Sequence, residues 1–320
     1  MSKCLVVGGA GFIGSHVVDA LIDAKHDVWV VDNLFLGKRE NVINCPPSEF
    51  FRGFYAIDAS DYTAMKVLVR SIRPDVVYNL AVMPLPHSLC YPKENVDVNI
   101  NIITNLLEMQ GNLCFERLIH FSSSEVYGSA VYTPMTEEHP LEAITPYAAS
   151  KAACDLICLS YFKTFDNDVT ILRPFNNYGP RQNEGSYAGL IPLTINRILK
   201  GDPIKIYGDG NQTRDYIYVE DTARAAVIAL GFGNLAGQVI NIASGIAISV
   251  NEIVEAIKGL MADRIIPPCE YEDERPGDVR CHLASVVKSQ SLLKFKPMCL
   301  LEDGLKETIK FYAEKNKKSL

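Results

Sequence analysis

The chain has 320 residues, 48% of them apolar, enough for a large core in one big or two medium domains. Its net charge of −7 argues against nucleic acid or an anionic membrane surface as the main partner. No apolar run approaches the roughly 18 residues of a membrane span, and the first residues enter a strand directly, so a cytoplasmic protein without a signal peptide is expected. The nine cysteines are scattered, with no C-x-x-C, and read as reduced, small apolar residues.

In chain order, the first element is a short apolar strand over 4–7. It runs into Gly8, Gly11 and Gly14, and then into an apolar-periodic helix over 12–24 that opens with Phe12 and Ile13. A second strand, 28–32, ends at Asp32 and is followed by Asn33. Gly8 permits the tight turn, Gly11 lets the backbone approach a pyrophosphate, and Gly14 lets the helix pack closely on the strand. The helix start offers N–H groups and partial positive charge to phosphates, and Asp32 is placed to bind a ribose 2′-hydroxyl. That acid favours NAD over its 2′-phosphorylated relative.

Strands then alternate with helices. Strand patterns occupy 50–57, 75–80, 117–122 and 169–173, and helix patterns occupy 61–72, 94–110 and 146–165. This spacing predicts a Rossmann-like doubly wound parallel α/β sheet with ligands at the carboxyl ends of its strands. From 174 the pattern loosens, with Pro and Gly clustered at 174–189, 201–213 and 267–277 and helix patterns at 190–200, 219–230, 249–261 and 301–315. We expect residues 1–173 to form the dinucleotide-binding domain. Residues 174–320 should form mainly a smaller substrate-binding lobe, interleaved with the sheet. The Lys-rich end, 314–320, reads as a frayed helix end.

Three segments fall where the cleft should lie. Phe121-Ser-Ser-Ser-Glu-Val-Tyr-Gly128 follows an apolar strand, Tyr147-Ala-Ala-Ser-Lys151 opens a helix, and Arg173-Pro-Phe-Asn-Asn-Tyr-Gly-Pro-Arg181 follows the sixth strand. Tyr147 and Lys151, at i and i+4, share one helical face. A lysine ammonium beside a phenol is expected to lower its pKa towards neutrality, which suits a general base acting on an alcohol. Ser123 is placed to hold the same substrate oxygen. Alone, such a Tyr–Lys pair is a common surface feature; after the glycine loop and the Ser-rich strand end, the catalytic reading dominates. No metal site is expected.

On these residues the chain resembles the extended short-chain dehydrogenase/reductases, in particular the NAD-dependent sugar-nucleotide epimerase/dehydratase group, over essentially its whole length. The resemblance implies NAD as cofactor and a nucleotide-diphosphate sugar as substrate. It also places Asn176 at the sugar diphosphate, Arg181 in the lobe-entry motif, and Arg214, within Tyr207–Asp221, on the diphosphate. Arg275, in Arg275-Pro-Gly-Asp278, falls at the nucleotide end. Guanidinium groups suit phosphate oxygens. Leu80 and Ala81 fall beside the cofactor. Asp58 is either an adenine contact or a loop cap. His87, on the loop after the fourth strand, either touches the sugar or is a partly exposed loop histidine, whereas His120 reads as a packed core histidine. The sequence departs from the family pattern at Asn79, Ile102 and Ser285.

The resemblance implies oxidation at C4 of the sugar, giving a bound 4-keto intermediate. Ser124 and Glu125 follow Ser123, and a carboxylate there suits an acid/base step on the C5 proton made acidic by the 4-keto group. The expected reaction is therefore 4,6-dehydration, followed by 4-epimerisation and then decarboxylation of a uronic acid. The family also implies a homodimer through a four-helix bundle, formed here by 94–110 and 147–165, both of which carry apolar residues over more than one face.

Overall fold

The computed structural model describes residues 1–43, 48–274 and 279–318. Its strands are β1 (Lys3–Val7), β2 (Asp27–Val31), β3 (Phe51–Tyr55), β4 (Val76–Asn79), β5 (Arg117–Phe121), β6 (Asp168–Pro174), β7 (Asn176–Tyr178), β8 (Ile204–Tyr207), β9 (Thr213–Tyr218), β10 (Val239–Ile242), β11 (Ala247–Ser249) and β12 (Cys269–Glu272). Its α-helices are α1 (Phe12–Asp23), α2 (Glu40–Ile43), α3 (Tyr62–Ile72), α4 (Leu85–Cys90), α5 (Pro92–Gly111), α6 (Pro146–Phe165), α7 (Leu190–Lys200), α8 (Val219–Leu230), α9 (Val250–Leu260), α10 (Val287–Leu293) and α11 (Leu301–Lys318).

Seven strands form one parallel sheet in the order β10-β6-β5-β4-β1-β2-β3. Chain direction across the sheet reverses between β1 and β4, so the crevice opens at their carboxyl ends. Alternation along β1 explains the two helical layers. Cys4 and Val6 pack with α1, α8 and α10 on one face, whereas Leu5 and Val7 pack with α3, α5 and α6 on the other. Burial on both faces accounts for the continuous apolar runs of these strands.

The second lobe has its own core, in which Ile191, Ile195 and Ile198 of α7 meet Ile253 and Ile257 of α9 and Leu305 and Tyr312 of α11. Its strands form two small sheets, β11-β9-β7 and β12-β8. The interleaving is concrete: β10 joins the main sheet beside β6, and α8 packs on α1. Only Phe175 separates β6 from β7.

One local expectation changes. His87 lies on helix α4 and is buried, its Nε2 3.2 Å from Glu94 and its ring stacked near Phe35 and Tyr91, so it is no exposed loop residue. Pro86 within the first turn hid this helix; proline is tolerated there because those N–H groups lack intrahelical partners. Helix α11 continues to Lys318.

Candidate active site

A cleft at the carboxyl ends of the parallel strands is lined by every residue expected to hold the cofactor: Gly8, Gly11, Phe12, Ile13, Gly14, Asp32, Asn33, Asp58, Leu80, Ala81, Tyr147 and Lys151. The glycines differ in what they do. Gly8 has φ +80°, and a Cβ there would sit 2.5 Å from the Ala81 nitrogen. A Cβ on Gly14 would sit 2.1 Å from the Gly8 carbonyl oxygen, so this helix turn and the strand loop touch backbone to backbone. Gly11 is the N-cap of α1, without a side-chain cap or an acid in the first turn. A Cβ on it would meet only the Gly8 carbonyl, at 3.3 Å. The start of α1 therefore presents its N–H groups and dipole to the cleft.

Asp32 is buried, and its carboxylate accepts from the Ala10 N–H at 3.0 Å and the Leu34 N–H at 2.8 Å. Burial pushes its pKa up, opposed by these backbone donors. A Cβ on Gly37 would strike both Asp32 oxygens, which is why the loop after β2 needs a glycine there. Asp58 caps its own loop by accepting from Ser60 and from Asn33 Nδ2, and it also lines the cleft. Burial raises its pKa, but the Ser60 and Asn33 bonds outweigh it and hold the carboxyl below its usual value.

Helix α6 starts with Thr145, whose side chain caps the Ala148 N–H, and Pro146 at its first position. This start sets Tyr147 and Lys151 on the cleft wall. The Tyr147 hydroxyl is hydrogen-bonded to Ser123. The Lys151 ammonium, buried, donates to the Phe121 carbonyl. Here the expected electrostatics need correction. Burial pushes the Tyr147 phenol up to about 12, with the Ser123 bond opposing and Glu125 adding to the rise, rather than down towards neutrality. Burial also pulls Lys151 below its usual value, because a desolvated ammonium is disfavoured. A bound oxidised nicotinamide would add positive charge to the cleft and favour the phenolate.

Ser123 caps the 3₁₀ turn Ser124–Tyr127 by accepting from the Glu125 N–H at 3.2 Å. This turn buries Ser124 and leaves Glu125 half-buried, close enough to Tyr147 to perturb it. Asn176 begins β7 with its Nδ2 buried and lacking a hydrogen-bond partner among the described residues. Arg214 lies on β9, its Nη1 donating to the Thr213 carbonyl. Arg181 does not line the cleft: it pairs with Asp19 of α1 at 2.7 Å, tying the lobe entry to the sheet domain. Arg275 lies outside the described residues. His120 is buried in β5, as expected of a core histidine.

Sequence reasoning missed Phe35, Gly37, Ser122 and Asn183, which also line the cleft. Gly37, a glycine soon after Asp32, was the available signal. It also missed Asn99, whose side chain accepts from the Met83 N–H at 2.7 Å and donates to Ser150 at 2.9 Å, holding the β4 loop against α6.

A parallel sheet with an uncapped, glycine-lined helix start, an acid after β2 and a Tyr–Lys pair on the cleft wall, with Ser123 beside the tyrosine, defines a dinucleotide-dependent enzyme of the short-chain dehydrogenase/reductase type. A family model described as "NAD dependent epimerase/dehydratase family" matches residues 4–243, and the chain belongs to that family, with NAD as its cofactor. A putative UDP-glucose 4-epimerase of Methanocaldococcus jannaschii is 34% identical over 98% of this chain and 99% of its own. A dTDP-glucose 4,6-dehydratase of an Actinoplanes species is 35% identical, covering 97% of each chain. Among solved structures, a UDP-N-acetylglucosamine 4-epimerase from Methanobrevibacter ruminantium, in complex with UDP-N-acetylmuramic acid, superposes with a TM-score of 0.90 at 36% identity, covering 98% of this chain and 99% of the other.

Proposed function

We propose that the protein acts on a nucleotide-diphosphate sugar through a 4-keto intermediate and that its reaction is 4,6-dehydration. When bound, NAD supplies the reversible acceptor for the hydrogen removed from C4. Gly11 and the start of α1 hold the pyrophosphate, Asp32 the ribose, and Asp58, Leu80 and Ala81 border the remaining cofactor surface. Ser123 orients the sugar 4-hydroxyl and Tyr147 takes its proton, with Lys151 supplying positive charge to the phenolate. Asn176, whose buried amide nitrogen lacks a hydrogen-bond partner among the described residues, and Arg214 and Arg275 are assigned to the substrate diphosphate and nucleotide.

The observation that favours dehydration is Glu125, a carboxylate two residues after Ser123 and electrostatically coupled to Tyr147. Its role is to take the C5 proton, and Ser124 shapes the turn that aims it. Simple 4-epimerisation is favoured by a second observation: Ser124, buried and neutral, adds no second acid beside Glu125 to help expel the C6 hydroxyl. We assign the active form as a homodimer through α5 and α6. Leu156 of α6 is 59% exposed, apolar surface that pairing would cover.

Product mass tests the reading. Incubated with UDP- and dTDP-linked sugars, the enzyme should yield a product lighter by one water. An unchanged mass with altered sugar configuration makes it an epimerase, and loss of carbon dioxide from a uronic acid makes it a decarboxylase. Tyr147→Phe should cut turnover by roughly 10²–10⁴-fold while nucleotide binding persists; near-normal turnover would remove Tyr147 as the base.

A further inference from the structure

One buried charge is not used in that scheme. Asp155 is fully buried on α6, one turn beyond Lys151 and two beyond Tyr147, so the three share a face. That face grips three successive residues at the end of β5. Lys151 donates to the Phe121 carbonyl, Asp155 Oδ2 accepts from Ser122 Oγ at 2.7 Å, and Tyr147 is bonded to Ser123. Asp155 Oδ2 also accepts from Arg173 Nε of β6 at 2.9 Å. On its other side, Asp155 Oδ1 and His120 Nε2 lie 3.8 Å apart, both buried and neither with a hydrogen-bond partner among the described residues. Asn79 Nδ2 donates to His120 Nδ1 at 3.1 Å, which leaves the imidazole proton on Nε2, facing the carboxylate.

We propose that Asp155 is a positioning residue for the Tyr147–Lys151 pair: it supplies the buried counter-charge to the Lys151 ammonium and fixes the strand end that presents Ser123. The inference rests on the proton-transfer roles assigned above. Burial disfavours the ammonium, and Asp155 opposes that effect. The other titratable groups around Asp155 do not supply negative charge near neutrality. Cys154 and Cys158 on the same helix and Tyr127 beside Arg173 are pushed up by burial, and His120 on β5 is pushed well below its usual value. Arg173, the second cation, is shared with the Tyr127 hydroxyl and ring.

The test uses the NAD-bound enzyme with ¹³Cε-labelled lysine, the Lys151 signal being assigned by its loss in Lys151→Met. In Asp155→Asn the Lys151 titration midpoint should fall by about one pH unit. The pH profile for reduction of bound NAD on mixing with UDP-glucose should move in the same direction. A residue of structural importance alone would lower thermal stability without moving that midpoint, and an unmoved midpoint overturns the proposal. If Asp155→Asn does not fold, Asp155→Asn combined with Arg173→Gln leaves no unpaired Arg173 guanidinium, and a smaller fall of the midpoint in the same direction is expected. A shifted midpoint together with full turnover in Tyr147→Phe would sink the assigned base while sustaining the role of Asp155 towards Lys151.

Discussion

The starts of α1 and α9 are two solutions to one problem, the unpaired N–H groups at a helix N-terminus. At α9 the protein satisfies them itself: Ser249 Oγ accepts from the Glu252 N–H, and the Glu252 carboxylate accepts from the Ser249 N–H, a complete capping box. At α1 the corresponding position is Gly11, with no capping side chain and no acid in the first turn. The helix that closes on itself faces the lobe's core, and the one left open faces the cofactor cleft. An unsatisfied helix start on a glycine-lined loop marks a place where a ligand completes the structure.

Four substitutions or conditions would break or sharpen this contrast. Gly14→Ala carries the largest effect, since its Cβ would meet the Gly8 carbonyl at 2.1 Å. We expect loss of co-purified NAD and about 1–3 kcal/mol of stability, read by absorbance and thermal melting. Gly11→Asp should separate the two properties. Its extended backbone accepts a capping side chain, so stability should change by only a few tenths of a kcal/mol. The added charge against the pyrophosphate should cost several kcal/mol of NAD binding, on the order of a hundredfold or more by titration calorimetry. Retained affinity in that variant would mean that the pyrophosphate lies elsewhere.

Acid should separate the helices next. Burial, with the Arg181 charge beside it, pushes His16 of α1 from 6.5 down to about 4. The folded state holds His16 neutral, so its stabilising contribution is present above pH 6.5 and drains away as pH falls towards about 4. Glu252 is shifted below its ordinary 4.5 by its bonds to Ser249, so the α9 cap persists until lower pH. At pH 5, hydrogen exchange should show α1 losing protection relative to α9. Smallest is Ser249→Ala, which should cost about 1 kcal/mol and leave NAD affinity unchanged; a fall in affinity would show that the two helix starts are coupled.

The contrast also explains what was legible in the sequence. The α1 loop announces itself because three glycines, an apolar strand and Asp32 obey spacing rules local to some thirty residues. The Tyr147–Lys151 pair is legible for the same reason. What failed depends on neighbours distant in sequence. The phenol's electrostatics follow from burial against α5 and β5, which no i, i+4 pattern reports. Arg181, placed in the lobe-entry motif by resemblance, pairs with Asp19, over 160 residues away, which no local motif reports. The strands β7 and β11 have three residues each, too short to carry an alternation pattern, and are stabilised by pairing with β9.

The placement of β10 has a consequence for synthesis on the ribosome. When β6 has emerged, its outer edge still lacks the strand that will cover it, because β10 is encoded roughly 65 residues later. At about 5–20 residues per second, the nascent sheet waits several seconds with an apolar edge open to pairing with other chains. Truncations or pauses between 174 and 239 should therefore produce aggregating, chaperone-bound fragments, and the main-sheet edge should cease to contribute once β10 has emerged.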